Sequence, residues 1–205
     1  MQQKLLCVIN MSSEDREKWD QRYREGAYAD RNYPSEFLTK RVSLVDSGRA
    51  MDLACGVGRN AIHLAELGFQ VDAIDVSSEG LEIARERARE RGVSINWINE
   101  DLLNGWSVPY GQYDLIVMFR FVSNNILMKL PKCLAPGGAL IVEEHLLWSA
   151  GNVTGPNNNR FRVKPGELIE ACQELDVLFH YEGLIEEPDG SLAALAQIHS
   201  KKPNA

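Results

Sequence analysis

Apolar and polar positions alternate along this chain with two different periods, and the switches between them mark its elements. Ser12 to Glu25 repeats at helical spacing. Ser12 or Ser13 is placed to cap it, Glu14 and Asp15 suit its positive end, and Gly26 stops it. A second helix is predicted from Ser35, after Pro34, to about Val45, with Phe37, Leu38, Val42 and Val45 inward. From Ala50 onward strands and helices take turns. Strands are predicted at Ala50–Ala54, Phe69–Asp75, Ile95–Ile98, Tyr113–Phe119 and Ala139–Glu143, and helices at Arg59–Leu67, Glu79–Arg91 and Ile126–Leu134. Ser77 or Ser78 caps the second of these helices. The fourth strand is an almost unbroken apolar run, the pattern of a strand buried on both faces in mid-sheet. Pro136-Gly137-Gly138 reads as the turn before the fifth strand.

The alternation then stops. Leu147 to Pro156 is polar and contains glycine, and a helix is expected from Pro165 or Gly166 to Leu175. Val177–Glu187 and Leu192–His199 flank Pro188-Asp189-Gly190 as an antiparallel hairpin. The pattern predicts a Rossmann-like α/β fold: a doubly wound, seven-stranded, mostly parallel sheet with an antiparallel last strand in a C-terminal hairpin and helices on both faces. No repeat or linker divides it, so residues 1–205 are expected to form one domain. In it, 1–48 make an N-terminal helical cap and 49–205 the core.

Composition narrows this little. With 205 residues, 44% of them hydrophobic and 25% charged, the chain can bury a full core. A net charge of -7 argues against a broad grip on nucleic acid. No apolar run approaches the ~20 residues of a membrane span, and Leu5–Ile9 lacks a signal-peptide core and cleavage site, which points to the cytoplasm. Met11 is an alternative start to Met1. Cys7, Cys55, Cys133 and Cys172 are too scattered for a disulfide framework or a metal site, and no metal is expected.

The chemistry concentrates at Asp52-Leu53-Ala54-Cys55-Gly56-Val57-Gly58-Arg59-Asn60-Ala61. Gly56 and Gly58 free a strand-to-helix turn for unusual dihedrals and for close approach of a ligand to backbone N–H groups. With Asp75 ending the next strand, the spacing fits a dinucleotide fingerprint, and an NAD(P)-dependent oxidoreductase is one reading. Asp52 opposes it, because a carboxylate beside the turn repels a pyrophosphate and suits a ligand with a cationic group. The alternative for Asp52 is a bond to its own loop. Trp19 and Tyr23 share a helix face and either pack on the sheet or line the site.

The series Asp52 to Asn60, Asp75, Asp101-Leu102, Tyr113-Asp114-Leu115-Ile116-Val117 and Leu134-Ala135-Pro136-Gly137-Gly138 resembles the class I S-adenosylmethionine-dependent methyltransferases. Trp19-x-x-Arg22-Tyr23, Gly58-Arg59-Asn60 and Phe161-x-Val163-x-Pro165-Gly166-Glu167-Leu168 resemble, more narrowly, the small tellurite-resistance-type subgroup. The resemblance implies S-adenosylmethionine as cofactor and S-adenosylhomocysteine as product. It implies backbone contacts to the methionine part around Asp52, Ala54 and Gly56, with Gly58 and Asn60 completing the turn. Asp75 would hold the ribose hydroxyls, Val76 would pack on the adenine, and Asp101 with Leu102 would meet its amino group. Phe119 and Arg120 would border the methyl, and Trp19 and Tyr23 would cover the site. Any base is sought among Glu143, Glu144 and His145, and Arg160 and Arg162 are candidates to clamp an anionic acceptor. Structural roles are open for His145 and both arginines. The run Arg120-Phe121-Val122-Ser123-Asn124-Asn125 departs from the subgroup, so its oxyanion substrates do not transfer. The expected partner is a small-molecule acceptor, an anion or soft nucleophile, met by a monomer or homodimer. A non-catalytic cofactor-binding module and a nucleic-acid methyltransferase are the other readings. The second lacks an Asn-Pro-Pro-Tyr-type base-flipping motif.

Overall fold

A computed structural model describes residues 14–107 and 109–204. Leu5–Ile9, Cys7, the choice between Met1 and Met11, and the Ser12 and Ser13 caps lie outside the described residues. Seven strands form one sheet: β1 (Arg49–Leu53), β2 (Gln70–Asp75), β3 (Asn96–Asn99), β4 (Tyr113–Phe119), β5 (Leu134–His145), β6 (Asp176–Glu186) and β7 (Leu192–Lys201). Their order is β3-β2-β1-β4-β5-β7-β6. The first five are mutually parallel, and β7 runs antiparallel to both β5 and β6. This is the Rossmann-like sheet predicted, with the antiparallel last strand in a terminal hairpin.

β4 takes the centre, and its residue alternation shows why it is apolar from Leu115 onward. Ile116 and Met118 enter one core cluster, under α5 (Asn124–Leu127), α6 (Leu130–Cys133) and α7 (Glu167–Ala171). Leu115, Val117 and Phe119 enter the other, with α2 (Glu36–Val42) and α3 (Arg59–Glu66). Phe37, Leu38 and Val42 of α2 complete that second core. Cys55, Cys133 and Cys172 are free, buried thiols. No helix among the described residues is long and apolar enough to cross a membrane.

The leading helix, α1, covers residues 14–24. One side chain fastens it to the core. Asp20 Oδ1 accepts from Ser77 Oγ at 2.6 Å and from the Glu79 amide at 3.2 Å. Ser77 in turn caps α4 (Ser78–Glu90) by accepting from the Gly80 amide. Two expectations need correction. The helix predicted over 126–134 is two short helices, since Pro131 has no N–H for the ladder and opens a new helix instead. β5 begins at Leu134, so the Pro136-Gly137-Gly138 turn lies within the strand, and Glu143, Glu144 and His145 belong to its last rungs.

Candidate active site

β1 delivers Asp52 and then leaves the sheet through Ala54, Gly56 and Gly58, all at positive φ (54°, 55° and 78°). Gly58 becomes the N-cap of α3. The two glycines serve different neighbours. A Cβ on Gly58 would lie 2.7 Å from Trp97 Cη2 and 2.9 Å from the Ala84 Cβ, so its bareness lets α3 and α4 close on β3. A Cβ on Gly56 would meet the Tyr23 hydroxyl at 2.7 Å. Gly56 thus faces a cavity of about 160 Å³ at the carboxyl ends of β1, β2, β4 and β5.

Two carboxylates line that cavity in different states. Asp75, at the end of β2, accepts from the Gly56 amide at 2.8 Å and from the Ser77 amide at 2.9 Å, one N–H on each oxygen. Burial raises its pKa against those bonds. Asp52 is 2% exposed. Burial pushes it up to about 7, opposed by Arg59 and by an N–H bond from Ala61. Its Oδ2 has no hydrogen-bond partner among the described residues. Asn60 also lines the cavity, and its Oδ1 accepts from the Ser35 amide at 2.9 Å, joining α3 to the start of α2.

Trp19, Tyr23 and Tyr28 roof the site as one aromatic cluster, with ring centroids 5.8 to 6.4 Å apart. Burial, then Asp75, raises the Tyr23 phenol far above its ordinary value, so it stays a neutral donor. Arg22 lies 4.7 Å over the Trp19 ring and Arg31 5.5 Å over Tyr28. Phe119 and Arg120 form the β4 side. Arg120, at φ 61°, reaches Glu143 at 2.9 Å and Glu187 at 2.8 Å. His145 enters from β5 with its ring 3.3 and 3.4 Å from Arg120 Nη1. Burial, then Arg120, Arg162 and Arg31, pushes it down to about 3, leaving a neutral imidazole. Trp19, Tyr28, Arg31, Arg120 and His145 also border a wider vestibule of about 650 Å³, which the 154–158 loop and the β6–β7 turn enclose.

The other candidate residues sit elsewhere. Val76 is half-buried beyond the cavity, and its carbonyl accepts from Asn99 Nδ2 at 2.9 Å. Asp101 Oδ1 accepts from the Leu103 amide at 2.9 Å, and Leu102 is buried in the core under α5 and α6. Glu144 faces the opposite side of the sheet from His145, away from this cavity. Arg162 is engaged within its own loop region. Its guanidinium donates to the carbonyls of Pro156, Leu146 and Thr154 and pins the 146–164 loop. Arg160 lies over Phe161 and 3.9 Å from Asp15. The cations at the cavity are Arg31, Arg59 and Arg120 instead. Arg59 stood in the glycine motif as a likeness only, and Tyr28 and Arg31 carried no signal beyond their residue type in an aperiodic loop.

Residues 50–138 match the family model of a methyltransferase domain. The methyltransferase assigned as YqeM of Bacillus subtilis is 32% identical over 114 residues, 50% of this chain and 44% of that protein. The ubiquinone biosynthesis O-methyltransferase of Shewanella halifaxensis is 27% identical over 150 residues, 63% of each chain. The chain thus spans about half the length of the curated relatives it matches. Among solved structures, TehB of Haemophilus influenzae superposes with a TM-score of 0.68 at 20% identity, over 80% of this chain and 61% of that one. The fold is therefore that of the Rossmann-like methyltransferases. Residues 50–138 carry the likeness to a methyltransferase domain.

Proposed function

We propose that this chain transfers a methyl group from S-adenosylmethionine to a small acceptor, an anion or a soft nucleophile, that enters through the vestibule. Asp52 carries the reading: a buried carboxylate with an idle oxygen, set at a glycine turn, fits a cationic amino group and repels a pyrophosphate. That contrast also disfavours NAD(P). Asp75 has a further lone pair on each oxygen for the ribose hydroxyls, and Val76, Asp101 and Leu102 would serve the adenine end. Trp19 and Tyr23 would cover the donor, with Ala54, Gly56 and Asn60 around its amino-acid part.

When bound, the donor supplies an activated methyl on a sulfonium. The protein's task is then to align the acceptor and exclude water, worth up to ~7–11 kcal/mol of the barrier. Arg31, with Arg22 and Lys18 farther out, gives the vestibule its cations, whereas Arg120 is neutralised by Glu143 and Glu187. An anion beside Arg31 would lift the pKa of His145 and let it take a proton from an acceptor that arrives protonated. The leading-helix motif and the likeness to TehB favour the tellurite-resistance-type subgroup, and we extend the reading to a cytoplasmic monomer or homodimer without a nucleic-acid partner.

Titration calorimetry with S-adenosylmethionine, S-adenosylhomocysteine and NAD tests the donor half. Asp75→Ala is expected to weaken donor binding at least tenfold, in line with ~1.5–3 kcal/mol for hydrogen bonds to a charged group. Unchanged affinity would sink the assignment. A screen of small anions and thiols for S-adenosylhomocysteine release tests the acceptor half. Tight donor binding with no turnover on any acceptor would favour a non-catalytic module.

A further inference from the structure

Neighbouring residues at the end of β5 point to opposite faces of the sheet. His145 enters the donor side. Glu144 enters the other, where it closes a second cavity of about 350 Å³ beneath the 146–164 loop. The walls include the apolar side chains of Met118, Leu127 and Leu147, and the exposed residues Arg160 and Lys164 stand at its border. Glu144 itself is 0% exposed. Its Oε1 accepts from the Phe121 amide at 3.2 Å, and its Oε2 has no partner among the described residues. A buried carboxyl with an idle oxygen is penalised unless something donates to it. None of the described lining groups does so. Arg162 is spent on three carbonyls, and Glu167 is an acceptor already engaged by the Lys164 amide.

We infer that this cavity is a second binding site, for a small organic acid whose apolar body carries an O–H or N–H donor at the end remote from its carboxylate. The donor would meet Glu144 Oε2, the body would lie against Met118 and Leu127, and the carboxylate would pair with Arg160 and Lys164. Hydroxy acids and ω-amino acids share this chemistry. The site lies across the Arg120–Phe121 corner from the donor pocket, and the Phe121 amide, at that corner, holds the other oxygen of Glu144. The inference goes beyond the methyl-transfer reading and does not depend on it.

Calorimetry on the full chain with two matched pairs tests it: 4-hydroxybenzoate against benzoate, and 5-aminovalerate against valerate. In at least one pair the donor-bearing acid is expected to bind at least tenfold more tightly, and the responding pair identifies hydroxyl or ammonium. Glu144→Leu removes the idle oxygen at similar size, so it is expected to fold and to abolish the preference. A second variant, Arg160→Ala with Lys164→Ala, alters exposed residues only and is expected to weaken every bound acid at least tenfold. Equal binding within both pairs, absence of binding at millimolar acid, a preference that survives Glu144→Leu, or unchanged affinity in the double variant would each overturn the inference.

Discussion

A carboxylic acid of ordinary pKa is fully ionised at neutral pH, but Asp52 is pushed up to about 7 because burial outweighs Arg59. Near neutrality it is therefore shared between acid and carboxylate, and below pH 7 the acid form dominates. A ligand ammonium placed against it favours the carboxylate and expels the proton. Donor binding should thus release a proton between about pH 5 and 7, with affinity rising across that window and flattening above it. The window lies below the ~7.7–8.0 at which a free α-amino group loses its own charge. Calorimetry in buffers of different ionisation enthalpy counts the proton. Asp52→Asn should abolish the release and weaken binding about tenfold, consistent with ~1.5–3 kcal/mol for a charge-assisted bond. Proton-neutral binding by the unaltered protein would remove the ammonium from Asp52. These acids were legible in the sequence because the glycine turn and the strand ends place them by short-range spacing. Arg31 and Tyr28 were not, since the 26–34 segment has no period to aim them and reaches the site only through tertiary packing.

At the scale of elements, Arg120 joins three strands near their carboxyl ends. It follows β4, pairs with Glu143 on β5, and reaches Glu187 just beyond β6, while Gln197 on β7 donates to the other Glu143 oxygen at 2.6 Å. The cluster bridges the parallel sheet and the antiparallel hairpin at the rim of the candidate site. Glu143 is 4% exposed, so losing Arg120 leaves a buried charge short of its partner. Arg120→Met is expected to cost about 3–5 kcal/mol in urea unfolding, and Arg120→Met with Glu143→Met should recover most of it. A single variant as stable as the parent would show that the cluster contributes nothing net. The sequence marks every strand of this sheet, because period-two burial and glycine or proline punctuation are local properties. It does not mark how far β5 extends. Leu134 reads as the end of a helix and Pro136 to Gly138 as a turn, yet Tyr113 pairs with Leu134 before the register shifts and carries the strand through. The break in the 126–134 helix was present in the sequence as Pro131, and the apolar spacing on either side concealed it.

For the whole molecule, buried titratable groups set opposing dependences of stability on pH. His145 and His199 are pushed down to about 3 and about 4, by burial first and then by nearby arginines. The unfolded chain takes up protons at both below pH 6.5, while the native protein does not until near pH 4. Their contribution is whole above pH 6.5 and lost as the pH falls toward 4. Asp52 and Glu144 act in the reverse sense. Burial raises both, so the native state keeps protons that the unfolded chain gives up above about pH 4; for Asp52 this stability is lost as the pH rises toward 7, and Glu144 acts in the same direction. The two sides oppose each other between pH 4.5 and 6.5 and leave a shallow profile there. Removing one side should unmask the other. A variant carrying Asp52→Asn and Glu144→Leu is expected to be more stable than the parent at pH 6.5 and to lose stability on acidification at up to about 1.4 kcal/mol per pH unit for each histidine. Adding His199→Gln should make that slope shallower, because one depressed histidine fewer then titrates. Urea titrations at pH 4.5, 5.5 and 6.5 measure all three. A flat profile in the double variant would mean that the histidines are not held neutral, and with that the neutral imidazole facing the vestibule would have to be given up.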